Sequence, residues 1–328
     1  MTEEKDWIKE FADKYSYNLE NFVLPRVRPF EKERKIRLIL ATIIATLVAI
    51  IAVIIIAALI YLYSTHYTDA QTYNSGYRAF AKYGSKKAIL FAILIGTFIW
   101  NKLQQHFEYK IKNQIMPILA STFDGFRWFE IADDKFYEDV FDADIFPCKE
   151  NENIVHAYTD MFQGHCKDVK LEFSQAMYSG NDFNFEGGII RAKMNKSFSG
   201  KTVLRPKKVS CADLIAFGLD RVILEDPEFN KKFNVYSTDQ VEARYLLTPS
   251  FMEKLKNISI QFTETNKTYC SLCNDYIYIA TGAKGGMFAL FGLTKRTDNR
   301  KNFRKMFGQI VSVIDLVEYL KLNIRTGL

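Results

Sequence analysis

Apolar residues fall along this chain in three patterns, and each predicts a different kind of element. The first is an unbroken run: Leu38 to Leu62, "LILATIIATLVAIIAVIIIAALIYL", holds 25 residues without a charge. Hydrocarbon about 30 Å thick needs roughly 20 residues at 1.5 Å each, so the run predicts a transmembrane helix with room to tilt. A secretory signal has a shorter apolar core and a small-residue cleavage site behind it. Here Tyr61 and Tyr63 close the run instead, as interfacial rings do. A second run, Ala88 to Trp100, has 13 residues, a length shared by short spans and buried helices. Lys86, Lys87 and Lys102 can snorkel at its ends and Trp100 sits at an anchor position, which predicts a short second span.

The second pattern has a period near four. Leu103, Phe107, Ile111, Ile115, Leu119 and Phe123 form one helical face, so the second span should continue into a stalk, kinked at Pro117. At the C-terminus Phe303, Met306, Phe307, Ile310, Val313, Ile314, Val317 and Leu320 make another amphipathic stripe. The third pattern has a period of two and begins at Asp168. "DVKLEFSQAMYSG", "GGIIRAKMNKSF", "KTVLRP", "RVILE" and "NVYS" read as strands, and "ISIQFTE" with "DYIYIATG" as a hairpin with a long connection. Residues 130–165 show no period and predict turn-rich structure. The fold class is therefore α+β: an N-terminal two-helix transmembrane hairpin, then a mixed, mainly antiparallel soluble domain with amphipathic helices. The expected divisions are a cytosolic amphipathic lead over 1–35 whose helix ends at Pro25, a span over 36–63, an extracytoplasmic loop over 64–87, a short span over 88–102, a stalk over 103–129 and a cytosolic domain over 130–328.

Charge sets the expected orientation. Arg26, Arg28, Lys32, Arg34, Lys35 and Arg37 precede the first span and Lys102, Lys110 and Lys112 follow the second, against Arg78, Lys82, Lys86 and Lys87 between them. Basic residues stay cytoplasmic, so both termini are expected in the cytoplasm, with the chain in the cytoplasmic (inner) membrane. The five cysteines, an odd and sparse set, fit a reducing compartment rather than a disulfide scaffold. A net charge of +6 over 328 residues permits contact with anionic lipid but is no nucleic-acid footprint. Small residues recur along both apolar runs, at Ala41, Ala45, Ala49 and Ala52 and at Ala88, Ala92 and Gly96, a spacing that lets helices pack closely within the hairpin or between copies.

The polar stretch 224–255, "LEDPEFNKKFNVYSTDQVEARYLLTPSFMEKL", reads as helix punctuation rather than catalysis. Asp226 before Pro227 and Thr248 before Pro249 are cap-plus-proline signals, and Asp239 with Glu242 has capping-box spacing. The same stretch, together with "FEGGIIRAKMNKSFSGKTVL" from Phe185 to Leu204, resembles a bacterial family of uncharacterised membrane proteins, domain-of-unknown-function family thirty-one thirty-seven. The two N-terminal spans and "IKNQIMPIL" fit that family's layout. The resemblance implies no catalytic residue or cofactor; it does imply a partner, a small membrane-anchored coiled-coil protein of the LemA type. The segment "TNKTYCSLCN" departs from the pattern as a longer hairpin connection.

Two further features bear on chemistry. Cys270 and Cys273 form a C-x-x-C pair that could serve as half of a zinc site, completed from Cys148, His156, His165 and Cys166, or as a redox pair; two ordinary thiols are the alternative. In "GGMFALFGLTKRTDNRKNFRKMF", apolar Met287, Phe288, Leu290, Phe291 and Leu293 run into Lys295, Arg296, Arg300, Lys301, Arg304 and Lys305. Cations near a helix N-terminus oppose its dipole, so a membrane-surface contact is one reading and an exposed basic loop with its Phe residues in the core the other. "TGAKGG" lacks the Gly-Lys-Ser/Thr ending of a nucleotide loop, and there is no G-x-S-x-G elbow. The expected function is a membrane-anchored binding or scaffold protein, with a metal-dependent or thiol enzyme centred on C-x-x-C as the alternative. A channel is disfavoured by the lack of intramembrane charge.

Overall fold

The computed structural model describes residues 3–66, 85–121, 123, 125–147, 155–166, 169–180, 183–194, 197–262, 267–283, 288 and 290–325. The chain divides into two compact units, one made of Leu24–Ile115 with Phe291–Asn299, the other of Met1–Val23, Met116–Leu290 and Arg300–Leu328.

In the first unit, α2 (Leu24–His66) and α3 (Ser85–Ser121, whose last turns belong to the second unit) carry the two apolar runs. Their basal ends pack antiparallel. Glu33 pairs with Lys110 at 2.9 Å and Arg37 lies over the Phe107 ring at 5.7 Å, around buried Val27, Phe30, Phe107 and Ile111. Further along, burial stops. Ile43, Leu47, Ile51 and Ile54 remain 47–60% exposed, as do Ile89, Phe91 and Leu94 at 51–64%. Holding such side chains in water forgoes about 1.5–3 kcal/mol each, which hydrocarbon would recover. By length and composition one helix among the described residues, over residues 9–58, qualifies to cross a membrane. The short second run lies within one continuous helix with the stalk, and Pro117 is accommodated inside it.

One expectation about the N-terminus needs correction. The helix α1 (Glu3–Asn18) does not end at Pro25: a π-turn over Leu19–Val23 follows it and α2 begins at Leu24. Pro25 therefore falls in the first turn of α2, where its missing N–H is least felt.

The second unit is built on a nine-stranded sheet, every pairing antiparallel, in the order β1-β2-β3-β4-β9-β8-β5-β7-β6. The strands are β1 Arg127–Ile131, β2 Val155–Cys166, β3 Val169–Ser179, β4 Asn184–Lys193, β5 Thr202–Pro206, β6 Asp220–Val222, β7 Phe233–Ser237, β8 Thr268–Cys273 and β9 Tyr276–Gly282. One face carries Tyr158, Ala176, Tyr178, Phe185, Ile189, Tyr269 and Ala280, covered by Phe136 and Val140 of α4 (Asp134–Asp142) and by Ile145 and Phe146. The described residues of 130–165 are regular rather than turn-rich, with the end of β1, then α4, then β2 from Val155, and the CKENEN run lies outside them; α4 was hidden because two core residues, one turn apart, sit among acids.

Arg205 anchors that covering segment. It is fully buried, forks onto Asp213 at 2.7 and 2.9 Å, and donates to the carbonyls of Asp144 (2.7 Å) and Phe146 (2.9 Å). Asp213 lies on the short helix α5 (Ala212–Ala216). The remaining helices are α6 Pro227–Lys232, α7 Gln240–Leu246, α8 Pro249–Phe262 and α9 Arg300–Arg325, with α8 tied to α9 by Lys254–Asp315 at 2.6 Å. Tyr15 of α1 stacks on Phe307 of α9 and donates to the Phe303 carbonyl at 2.9 Å.

The helix caps follow the sequence closely. Asp226 accepts from the N–H groups of Glu228 and Phe229, Asp239 from Val241 and Glu242, and Thr248 from Phe251. The capping box is only half made: Glu242 accepts instead from the Ser199 and Gly200 N–H groups at 2.8 and 2.7 Å, fixing the approach to β5. "ISIQF" belongs to α8 and not to a strand, and the C-x-x-C segment, expected in a hairpin connection, is itself strand β8. The true connection is the tight turn at Asn274 (φ +53°), a conformation that Asn tolerates well.

Gly187 sets the closest approach in the sheet. A Cβ there would press into the Thr281 carbonyl and sit 2.9 Å from Gly282 Cα, both on neighbouring β9. Gly187→Ala is expected to lower stability by about 1–3 kcal/mol, seen as a lower melting temperature. An unchanged melt would mean that the ladder spreads there at no cost.

Candidate functional site

The C-x-x-C pair does not converge. Successive side chains of a strand alternate between faces, so Cys270 and Cys273, three apart in β8, point to opposite sides of the sheet. Cys273 joins the core cluster with Tyr269 and Tyr278, while Cys270 lies outside it. Both are buried, and burial pushes the Cys273 thiol up to about 11 and Cys270 higher still, far from a reactive thiolate. Two donors on opposite faces of one strand cannot hold one ion. Of the other suggested ligands, His165 is exposed on β2, and the side chains of Cys148, His156 and Cys166 lie outside the described residues.

The basic segment resolves into separate parts. Its apolar half enters the core: Phe288, Leu290, Phe291 and Leu293 are buried, and Met287 lies outside the described residues. Lys295, Arg296, Arg300, Lys301, Arg304 and Lys305 are all exposed. Arg296 pairs with Asp298 at 3.0 Å and Arg300 with Glu20 at 2.8 Å. Within the first unit, the loop bearing Lys295 and Arg296 is fastened to α2. Arg34 donates to the Leu293 carbonyl at 2.6 Å, and Glu31 accepts from the Thr297 N–H and hydroxyl at 3.1 Å each. Arg34 also forks onto Glu31 at 2.7 and 2.9 Å, so each charged group of the clamp is matched.

Among the described side chains of the first apolar run, the positions of α2 shielded from full exposure are Leu38, Ala41, Ile44, Val48, Ala52 and Ile56; Ala45 and Ala49 are exposed. On α3, Ala92 and Gly96 are partly covered, and nothing lies within 4 Å of where a Gly96 Cβ would stand. The Ala88 side chain is outside the described residues.

Two polar constellations were not anticipated. In the first, Gln163, Glu172 and Arg191 stand side by side across β2, β3 and β4. Arg191 donates to Glu172 at 2.5 Å, pairs with Asp139 of α4, and is flanked by the Phe136 and Tyr276 rings at 4.9 and 5.3 Å. Burial alone would raise the Glu172 pKa, but hydrogen bonds from Arg191 and Lys170 outweigh it and the carboxyl is held below its usual range. Glu172 and Arg191 are buried while Asp139 and Lys170 keep partial access to solvent, and the cluster works as a structural pin.

The second constellation is open. A cavity of about 470 Å³ is lined by Lys207, Lys208, Lys231, Lys232, Lys256 and Lys267, with Pro206, Val209, Phe233 and Ile260 as apolar wall. It sits where β5 ends and β7 and β8 begin. Pro206 is opposite Phe233 and the Lys207 N–H donates to the Lys232 carbonyl at 2.8 Å, so these two lysines are cross-strand neighbours. The β5–β8 register, with Leu204 opposite Cys270, carried to the strand ends sets Lys207 against Lys267. Lys256 and Ile260 lie one turn apart on α8 and so share a face. Carboxylates answer two of the lysines, Asp226 at Lys256 and Glu228 at Lys231, both at 2.7 Å. Lys267 donates to the Asn184 carbonyl at 3.3 Å and borders a neighbouring cavity of about 380 Å³. The six lysines are scattered over 61 positions of sequence, so no linear motif marks them.

The described residues thus define an α+β body on an antiparallel sheet, accompanied by one long apolar N-terminal helix. Residues 183–322 match the model of a family described as a protein of unknown function, DUF3137. The match takes in both stretches that carry the resemblance, from Phe185 and from Leu224, and leaves the apolar helices outside. No curated protein matches the chain. A crystal structure of the mycobacterial trehalose monomycolate transport factor A, TtfA, is similar at 11% identity and a TM-score of 0.32, over 58% of this chain and 86% of that one. At that score the likeness carries no argument.

Proposed function

We propose that this protein is an integral membrane protein whose α+β body acts by binding, as a scaffold or assembly partner at the membrane surface. The observation that carries the reading is the exposed aliphatic sheath of α2, which only lipid or another apolar helix could cover. α3, with its exposed Ile89, Phe91 and Leu94, is the second limb of a hairpin, and its flanking Lys86, Lys87 and Lys102 extend its reach by snorkelling. Exposed Ala45 and Ala49 remain for contact with lipid, a second copy, or a small membrane-anchored partner of the LemA type.

The clamp from Arg34 and Glu31 supports a surface contact for Lys295 and Arg296. The apolar run begins at Leu38, and four to seven residues at 1.5 Å each put the clamp within about 10 Å of it along α2. Anionic headgroups at that depth would attract each cation by about 1 kcal/mol. Arg300, Lys301, Arg304 and Lys305 are exposed and add to the same attraction wherever they reach the surface.

Nine Lys or Arg flank the two runs on the outer sides and four lie between them, which supports cytoplasmic termini. A phosphatase reporter fused after Leu328 is expected to be inactive, and the same reporter inserted in the 67–84 segment active. Activity after Leu328 overturns the topology, and full release of the chain by alkaline carbonate overturns the anchor.

A further inference from the structure

We propose that the lysine-lined cavity at the β5–β7–β8 end of the sheet binds a phosphate-bearing ligand. This rests on the cavity alone and holds whether or not the membrane reading does.

The row of lysines carries an electrostatic cost. Neighbouring strands lie about 4.8 Å apart, so Lys232, Lys207 and Lys267 bring three cations across about 10 Å of backbone. Like charges set opposite each other across strands are destabilising, and Lys208, Lys231 and Lys256 add to the same field. Helix chemistry accounts for part of it: Lys231 and Lys232 end α6, where cations suit the dipole. It does not account for Lys207, Lys208 or Lys267, which lie on no helix. Among the described residues, no carboxylate pairs with Lys207, Lys208, Lys232 or Lys267, and none of the ten lining residues is acidic.

The donor set selects the anion. A carboxylate is best held by the planar fork of arginine, whereas lysines surround a compact, multiply charged group as point charges. The cavity lining holds lysines and no arginine. Its volume of about 470 Å³ suits a small molecule. Pro206, Val209, Phe233 and Ile260 offer a wall on which an apolar portion can rest. Phosphate chemistry therefore fits the floor of the site, and its source can be a lipid headgroup or a soluble phosphate.

The test uses the full chain in an uncharged detergent, titrated with inorganic pyrophosphate and separately with dihexanoyl phosphatidate. At least one probe is expected to bind saturably and raise the melting temperature. Binding should weaken about tenfold in Lys207→Gln/Lys232→Gln, the loss of charge-assisted hydrogen bonds, and also as salt is raised. Tighter binding of the phosphatidate assigns a lipid source; equal or tighter pyrophosphate assigns a soluble one. Acetylation footprinting of the unmutated chain gives a readout independent of the variant's folding: the bound probe should protect Lys207, Lys232 and Lys267 and leave Lys295 unprotected. Absence of saturable binding by both probes, unchanged binding in the double variant, or absence of protection overturns the proposal.

Discussion

Asp213→Ala is expected to destabilise the sheet-bearing unit by about 3–5 kcal/mol, because it strands a buried guanidinium. Arg205 has no exposed surface, and among the described residues its acceptors are the Asp213 carboxylate and the carbonyls of Asp144, Phe146 and Ser210. Carbonyls solvate the charge but do not neutralise it. Against a typical domain stability of about 5–15 kcal/mol, the loss removes about a fifth of the margin at the upper end and nearly all of it at the lower. Arg205→Met with Asp213→Leu should recover much of the loss, since removing both charges also removes their desolvation cost. Chemical denaturation of the three proteins checks this. A single-variant loss under about 1 kcal/mol would show that water reaches the guanidinium.

Glu172→Gln should cost about 3 kcal/mol, the lower end of the range for a broken buried pair, because Asp139 still faces Arg191. It should also change the acid limb of stability. Glu172 is held below its ordinary range in the folded chain, so its contribution is complete above its unfolded pKa of about 4.3 and disappears as pH falls through the lower folded value. The unmutated protein should therefore lose stability on acidification below about pH 5 more steeply than Glu172→Gln. Parallel acid limbs for the two proteins would assign the acid sensitivity to other carboxylates.

How legible these features were depended on how local their signals are. The apolar run that opens at Leu38 and the stripe of α9 are contiguous patterns, and they were readable as such. So were the caps at Asp226, Asp239 and Thr248, each set by three or four adjacent residues. "ISIQF" misled because Ile258, Ile260 and Phe262 alternate like a strand; in the helix Ile258 is buried and Ile260 is 69% exposed. "TYCSLC" misled in the opposite way, since all six residues of β8 are buried and a strand covered on both faces shows no alternation. The lysine cavity was invisible because it draws on the ends of three strands and two helices brought together only by the fold.

Among the described residues the sheet is open, with β1 and β6 at its two margins, and these are unequal. β6 is three residues long and begins with Asp220 and Arg221, too short and too charged to template another strand. β1 is longer, with Phe129 and Ile131 left 43% and 68% exposed. Its outward row of amide and carbonyl groups is a place where an extended segment of another chain could add itself to the ladder. Arg127, on the same face as those apolar residues, and Glu130, on the opposite one, restrict such an addition to a sequence whose charges answer theirs, which guards the margin against indiscriminate stacking of copies.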